Sequence, residues 1–191
     1  DGIACFRGSE LGVLDRYHGA ADAAGADVIV RLTADCPLLD PTVIDRVIAR
    51  FQEGAFDYVS NIEPPTYPDG LDTEVFPRTA LAQAWREARL PSEREHVTPY
   101  LRNHPELFRQ GNVEEAEDWS YLRWTVDEPR DLRLVREIYA RMPHQNFGWR
   151  DVLALLNAEP ELRTINEGID RNEGMLRSLQ DDALFRTNDK S

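Results

Sequence analysis

The stretch that most constrains the fold is VIVRLTADCPLLDP, residues 28–41. Four of its first five residues are aliphatic and most of these are β-branched, which is typical of a strand buried on both faces of a parallel sheet. Asp40 and Pro41 then combine an N-cap residue with proline at the first helical position, so a helix is predicted to begin there. Asp35 therefore follows the carboxyl end of a predicted strand, where open α/β sheets bind their ligands.

The rest of the chain alternates in the same way between short apolar runs and helical patterns. Strands are predicted at 28–32, 57–60, 72–76 and 122–126, with an edge strand at 2–6, and helices at 11–25, 41–53, 79–90, 93–102 and 129–141. This alternation predicts an α/β fold, with a mostly parallel sheet flanked by helices and right-handed crossovers. We divide the chain into an α/β domain at 1–145 and a C-terminal helical extension at 146–191.

Charge and composition exclude several kinds of protein. A net charge of −13 argues against a nucleic-acid binder, because binding a phosphate backbone needs a basic face. No apolar run approaches the roughly 18 residues of a membrane span and the acidic start is unlike a signal peptide, so we expect a cytoplasmic protein. Cys5 and Cys36 resemble reduced intracellular thiols, and nothing local marks Cys36 as a low-pKa nucleophile. All basic residues except Lys190 are arginines, so the body of the chain has no lysine to cradle phosphate.

Asp35 and Asp127 form the strongest candidate site. Each follows a predicted strand, in RLTAD and LRWTVD, and each precedes a helix that begins with proline. Because parallel strands of one sheet end at the same edge, we expect the two carboxylates to converge there. Mg²⁺ takes one or two protein carboxylates and completes its shell with water and substrate phosphates, which two acidic strand ends would suit. On spacing alone, the simpler alternative is that each aspartate caps the helix after it.

Other polar residues are candidates for binding a substrate. The proline-rich loop before the strand at 72–76 contains Tyr67, Asp69 and Asp72. A rigid polar loop suits substrate recognition, and a solvated turn is the alternative. A predicted helix carries Arg94 and His96. The histidine could bind substrate hydroxyls, although a lone helical histidine is more often structural.

Two arginines interrupt predicted apolar strands near their ligand ends. Arg31 and Arg123 could each meet a phosphate or a sugar carboxylate. Thr33, where the first of these strands stops, joins Arg31 as a substrate-binding candidate. Structural ion pairs with Asp35 or Asp127 are an equally consistent interpretation of the two arginines.

Five ordered segments resemble a known family: FRGSELGVLDRY, ADVIVRLTADCPLLDPTVID, YPDGLDTEVF, REHVTPYL and LRWTVDEPRDLRLVREIY. They resemble SpsF-type spore-coat polysaccharide proteins, which are relatives of the acylneuraminate and Kdo cytidylyltransferases. The resemblance covers residues 3–145 and continues more weakly through NEGM at 172–175. It favours the metal-site interpretation of Asp35 and Asp127 over helix capping.

The resemblance implies a fold like that of the nucleotide-diphospho-sugar transferases. In such a protein CTP and an acidic sugar of the nonulosonic acid type yield a CMP-sugar and pyrophosphate for surface polysaccharide synthesis. It assigns Mg²⁺ to Asp35 and Asp127, and it extends sugar binding to Tyr67, Asp69, Asp72 and His96. It also implies a homodimer, for which the segment 85–125, with three tryptophans, is the candidate contact.

The chain departs from the family at its start. Family members begin with a strand and a glycine-rich basic loop resembling ARxGSxRLPGK, which holds the nucleotide. That unit has no counterpart here, in keeping with the absence of lysine. We therefore expect an N-terminally truncated chain that is inactive alone, because an unpaired acidic pocket repels a triphosphate.

Two other functions stay open. A metal-dependent glycosyltransferase of related architecture would need a compact DxD pair, and the DGLD at 69–72 is one residue too long. A non-catalytic interaction module that kept the fold and lost the nucleotide loop is the other alternative. Release of pyrophosphate from CTP, release of UDP from a sugar donor, or no reaction with any donor would distinguish the three.

Overall fold

The computed structural model of the chain describes residues 2–8, 12–144, 146–169, 171 and 173–188. Within these ranges the strands are β1 Val28–Arg31, β2 Tyr58–Ser60, β3 Glu74–Pro77 and β4 Gln110–Asn112. The helices are α1 Val13–Ala24, α2 Pro41–Gln52, α3 Arg78–Glu87, α4 Pro91–His96, α5 Pro99–Asn103, α6 Pro129–Arg141, α7 Trp149–Ala158 and α8 Glu173–Asn188, with a 3₁₀ helix at Pro160–Ile165. No helix in these ranges is both long and apolar enough to cross a membrane.

The four strands form one mixed sheet in the order β1-β3-β2-β4. β3 runs antiparallel to both β1 and β2, whereas β2 and β4 are parallel. Three strands therefore point one way, and β3, inserted between two of them, points the other way. The predicted α/β class, a sheet flanked by helices, is confirmed. The mostly parallel pairing is corrected, because the loop after β2 reverses the chain and brings β3 back alongside β2.

β1 is an edge strand of the sheet that the structure describes. It pairs with β3, with Val28 opposite Pro77 and Arg31 opposite Glu74. Val28 and Val30, which share one face of β1, are 45% and 38% exposed. The prediction of a strand buried on both faces is therefore wrong for these residues. Because both faces of the strand carry aliphatic residues, the sequence alone does not show which face is exposed.

Helices cover both faces of the central strands. On one face, Val47 of α2 packs with Val59 and Val75. Adjacent residues of a strand point to opposite faces, so Phe76 contributes to the core on the other side. That second core joins the strands to α1 and α3 and contains Leu14, Tyr58, Phe76, Leu81 and Ala84.

The third and largest core includes Tyr67, Trp124 and Trp149, and Asp40 joins two helices at its edge. Its Oδ1 accepts a hydrogen bond from Thr42 N at 2.7 Å, which makes it the N-cap of α2. Its Oδ2 accepts a hydrogen bond from Trp149 N at 2.7 Å, at the start of α7. The predicted start of α2 is confirmed, and the same carboxylate holds α7 against it.

Two other predicted elements differ from the structure. Residues 2–6 do not form a strand, and Ile3 is almost wholly exposed. The single helix predicted at 93–102 is divided between α4 and α5. Val97 separates them with a φ of 73°, a left-handed conformation that a helix cannot include.

Candidate functional site

The candidate site is a cavity of about 530 Å³ at the rim of the sheet where β1 and β2 end and β3 begins. Because β3 runs antiparallel, its first residues lie at the same rim as the last residues of β1 and β2. Seven acidic side chains and four arginines line the cavity. The arginines are Arg31, Arg102, Arg123 and Arg171.

The segment that leads to α6 lies against the loop before β3 and does not form the predicted strand at 122–126. Asp69 N donates a hydrogen bond to Leu122 O at 2.9 Å, and Trp124 N donates one to Asp69 O at 2.7 Å. Gly70 has a φ of +107°, and a Cβ there would lie 2.7 Å from the opposite backbone. Only glycine fits this close approach without a shift of the backbone. The pairing of the two segments brings both of them to the rim.

Asp35 and Asp127 both line this cavity. Val126, the neighbour of Asp127, donates its N–H to Asp35 O at 2.8 Å. The Asp127 side chain is 55% exposed, and its Oδ2 accepts a hydrogen bond from Arg123 at 2.7 Å. Within the described ranges, no group of three or more His, Cys, Asp or Glu residues is arranged to hold a metal.

Neither of these aspartates caps a helix. Asp40, and not Asp35, caps α2. At the start of α6, Asp131 Oδ2 accepts hydrogen bonds from the backbone N–H groups of Asp127 at 3.2 Å and Glu128 at 2.9 Å. The carboxylates of Asp35 and Asp127 are left for other partners.

Arg123 contacts three aspartates of the site. Its Nε and Nη2 donate to Asp131 at 3.1 Å each, its Nη2 also donates to Asp127, and its Nη1 lies 3.4 Å from Asp69 Oδ2. Asn166 Nδ2 donates to Asp131 Oδ1 and to Arg123 O, both at 2.9 Å. Burial opposes the ionisation of Asp131, but hydrogen bonds from Arg123 and Asn166 lower its pKa below the ordinary value. The ion pair between Arg123 and Asp127, one of the two predicted alternatives, is present.

Asp69 and Asp72 share an arginine from the C-terminal segment. Arg171 Nη2 donates to Asp72 Oδ1 at 2.8 Å, and its Nε lies 3.9 Å from Asp69 Oδ1. Burial raises the pKa of Asp69. Burial, reinforced by the charges of Asp69 and Glu74, raises the pKa of Asp72 to about 6. Arg171 acts in the opposite direction on both carboxyl groups.

Arg31 pairs with a carboxylate that the sequence did not suggest. Its Nη1 binds Glu74, the residue opposite it on β3, and Tyr58 Oη donates to Glu74 Oε1 at 2.5 Å. Glu74 is buried, which opposes its ionisation, but the Arg31 charge and hydrogen bonds lower its pKa. Of the two interpretations left open for Arg31, the structural ion pair is present, with Glu74 as its partner in place of Asp35 or Asp127.

His96 lines the cavity from the end of α4. Its Nε2 lies 2.9 Å from Ser178 Oγ on α8. Burial lowers the pKa of His96, and the charges of Arg31 and Arg102 act in the same direction. The imidazole is therefore neutral near pH 7, suited to hydrogen bonding rather than to charge pairing.

Thr33 also lines the cavity, next to a buried thiol. Its Oγ1 lies 3.1 Å from Cys36 Sγ. Burial raises the pKa of Cys36 to about 12, so the thiolate needed for nucleophilic attack is scarce at neutral pH. Cys36 is a packing residue of the site.

Tyr67, a predicted substrate-binding residue, lies outside the cavity. It is buried in the largest core, where its ring packs edge-on against Trp149 with 5.5 Å between the ring centroids. The loop anchors itself in the core through this ring, while Asp69 and Asp72 line the cavity. The predicted role of Tyr67 is corrected on this ground.

Arg94 also lies outside the cavity. Its Nη2 donates to Asp15 Oδ1 of α1 at 2.6 Å. Residues two apart on a helix point in nearly opposite directions, so when His96 lines the cavity Arg94 cannot. Its predicted role in substrate binding is corrected to an ion pair between α4 and α1.

Six charged residues of the site were not predicted: Glu63, Glu74, Arg102, Glu128 and Arg171, which line the cavity, and Asp131, which binds Arg123. Glu74 alternates with apolar residues in a predicted strand, a pattern that usually indicates a solvent-facing position. Asp131 comes three residues after Glu128, the N-cap of α6, and this capping-box spacing was an available signal. Arg171 lies in a polar tail, where no local pattern relates it to the rim.

Three comparisons place this chain among known proteins. Residues 2–168 match the family model described as cytidylyltransferase. The chain is 36% identical over 170 residues to an uncharacterized protein of Methanocaldococcus jannaschii, with 88% of this chain and 69% of that protein covered. It is 34% identical over 172 residues to the spore coat polysaccharide biosynthesis protein SpsF of Bacillus subtilis, with 87% and 70% covered.

Two more similarities involve proteins titled as cytidylyltransferases. The chain is 26% identical over 141 residues to the 3-deoxy-manno-octulosonate cytidylyltransferase of Chlamydia trachomatis, with 64% of this chain and 53% of that protein covered. Among solved structures, a cytidylyltransferase from Leptospira borgpetersenii is similar with a TM-score of 0.82 and 30% sequence identity. That similarity covers 89% of this chain and 72% of the solved one.

Proposed function

The chain belongs to the cytidylyltransferase family, and from that premise we propose that the protein containing it transfers CMP from CTP to an acidic sugar, with release of pyrophosphate. The names of its relatives support the acceptor: SpsF acts in spore coat polysaccharide biosynthesis, and 3-deoxy-manno-octulosonate is a sugar acid. The four arginines in the cavity are suited to anionic substrates.

The observation that carries the proposal is the convergence of Asp35 and Asp127 on one cavity. The two aspartates suit a magnesium ion, because neither carboxylate caps a helix and Mg²⁺ takes one or two carboxylates from a protein. Arg123 binds Oδ2 of Asp127, and within the described residues no hydrogen bond is made to the other carboxylate oxygen, which a cation could use. Mg²⁺ held there would neutralise the phosphate charge as pyrophosphate leaves.

The chain's own residues orient the two substrates around this point. Arg123, which forms an ion pair with Asp131, keeps a positive charge next to Asp127. Arg31 and neutral His96 line the cavity near the end of β1, where a sugar carboxylate and hydroxyls can bind. Positioning and preorganised charge then supply most of the rate enhancement, as in other phosphoryl transfers.

The test is release of pyrophosphate from CTP by the protein that contains this chain, in the presence of Mg²⁺ and candidate sugar acids. We expect D35N and D127N to lower kcat by about 10²–10³-fold, because each removes a charge that positions the cation. D45N, the same change at an exposed position of α2, should match the wild type. Release of UDP from a sugar donor would instead support a glycosyltransferase, and no reaction with any donor would support a non-catalytic module.

We also propose that the protein is a homodimer that associates through residues 85–125. Trp85, Leu107 and Tyr121 of this segment are exposed, which suits an interface. Light scattering after size exclusion should give twice the chain mass at micromolar concentration. A single-chain mass under those conditions would contradict the proposal.

A further inference from the structure

A sugar hydroxyl that attacks phosphorus has to lose its proton, so the cavity should contain a group that can accept it. Asp35 and Asp127 are assigned to the cation in the proposed function, and a carboxylate bound to a cation is a poor base. Glu74 is buried and held in its ionised form by Arg31. None of these three is free to take a proton from a substrate.

The remaining polar groups of the cavity are also engaged or peripheral. Glu63 forms an ion pair with Arg102, and Asp69 is paired with Arg123 and Arg171. Glu128, the N-cap residue of α6, is exposed to solvent. His96 directs its Nε2 to Ser178 of α8.

Asp72 differs from the other carboxylates of the cavity. Its side chain is 28% exposed and lines the cavity. Its Oδ1 accepts a hydrogen bond from Arg171, and within the described residues no hydrogen bond is made to its Oδ2. Arg171 Nη1 is in turn 3.4 Å from Tyr67 O, so the guanidinium is fixed by backbone as well as by carboxylates. One oxygen of Asp72 is thus oriented by the protein and the other is available to a ligand.

We propose that Asp72 accepts the proton of the attacking sugar hydroxyl and that Arg171 is the positioning residue that orients Asp72, an inference that rests on the proposed function. The hydroxyl oxygen forms a bond to the α-phosphorus of CTP while its proton moves to Asp72 Oδ2. The bond from the α-phosphorus to the bridging oxygen breaks, and pyrophosphate leaves with that electron pair. Arg171 lies outside residues 2–168, the part matched by the family model, so the match by itself does not indicate its role.

The surroundings of Asp72 suit proton exchange near neutral pH. Burial raises its pKa to about 6, the charges of Asp69 and Glu74 contribute to the rise, and Arg171 acts against it. The thiol of Cys36 also interacts with Asp72. General bases are most effective when their pKa lies near the working pH.

The pH dependence of kcat/KM for pyrophosphate release tests this role. The wild type should lose activity on the acid side with a midpoint near pH 6, because protonated Asp72 cannot accept a proton. D72N should lower kcat by about 10²–10⁴-fold and abolish this midpoint. R171Q should move the midpoint to higher pH, and D69N should move it to lower pH, because they remove charges of opposite sign beside Asp72.

Opposite shifts in R171Q and D69N would identify Asp72 as the titrating group, which a purely structural role does not predict. The proposal is overturned if D72N keeps the wild-type midpoint, or if R171Q and D69N shift it in the same direction. Loss of the midpoint in H96Q but not in D72N would assign the base to His96 instead. If D72N does not fold, the two neighbouring variants decide the question. Pyrophosphate release with no midpoint shift in any variant refutes the base alone, whereas no release by the wild type with any sugar acid refutes the base and the proposed function together.

Discussion

Replacing Asp131 with asparagine probes the charge network beneath the rim. Asp131 is 0% exposed and accepts hydrogen bonds from Arg123, from Asn166 and from two backbone N–H groups at the start of α6. Asparagine keeps the shape of the side chain but removes one acceptor oxygen. It also removes the negative charge that balances Arg123, which is only 9% exposed.

The expected loss of stability follows from this burial. Removing one partner of a buried ion pair costs about 3–5 kcal/mol, because the other charge is left uncompensated. Arg123 keeps its contacts with Asp127 and Asp69, so we expect the lower end, about 3 kcal/mol. For a domain of this size, that loss corresponds to a fall in Tm of about 6–12 °C.

Urea unfolding monitored by tryptophan fluorescence measures the free energy of unfolding directly. D45N, at an exposed position, is the control and should stay within about 0.5 kcal/mol of the wild type. The folded state lowers the pKa of Asp131, so its ionised form stabilises the fold above the unfolded pKa of about 3.9, and this contribution is lost as the pH falls further. The difference between wild type and D131N should therefore be largest near pH 7 and shrink below about pH 4. A D131N variant within about 1 kcal/mol of the wild type at pH 7, or a difference that grows on acidification, would refute the reasoning.

Two further predictions concern the cysteines and the loop glycine. Iodoacetamide at pH 8 should modify the exposed Cys5 and spare Cys36, because only thiolates react and burial raises the pKa of Cys36 to about 12. Mass spectrometry should show one adduct, and rapid addition of two would contradict the assignment. Replacing Gly70 with alanine should cost about 1–3 kcal/mol and lower the affinity for the sugar, because its φ is +107° and the opposite backbone leaves no room for a Cβ. Gly54→Ala, at a similar φ but in open space, is the control, and an equal loss of stability in both variants would contradict the steric argument.

The sequence predicted the position of the candidate site better than the pairing of the strands. That Asp35 and Asp127 lie at one cavity could be predicted because each combines an apolar run before it with a proline-started helix after it, and both signals are local. The antiparallel return of β3 depends on the course of the loop before it. That course is held by Asn61, whose side chain donates to Leu71 O and accepts from Thr73 N, both at 2.8 Å. Such long-range contacts leave no periodic trace in the sequence.

The same difference between local signals and long-range contacts explains which residues of the site the sequence did not predict. Asp69 and Tyr67 share one polar loop, and composition alone cannot tell that the aromatic ring turns into the core while the carboxylate lines the cavity. Arg171 reaches Asp72 from a segment 99 residues further along the chain. Its place in the site is decided by the packing of α8 against α4, which includes a buried hydrogen bond from Ser92 Oγ to Asp182 at 2.6 Å.

The metal site is tested most directly by a titration with Mn²⁺ in the presence of CTP, monitored by electron paramagnetic resonance. Mn²⁺ is a suitable probe because it shares the oxygen ligands of Mg²⁺. The claim is that Asp35 and Asp127 together hold one divalent cation. We expect one Mn²⁺ site per chain in the protein that contains this sequence, with an affinity weakened about 10–100-fold in both D35N and D127N and unchanged in D45N. Equal affinity for Mn²⁺ in the wild type and in both aspartate variants would contradict it.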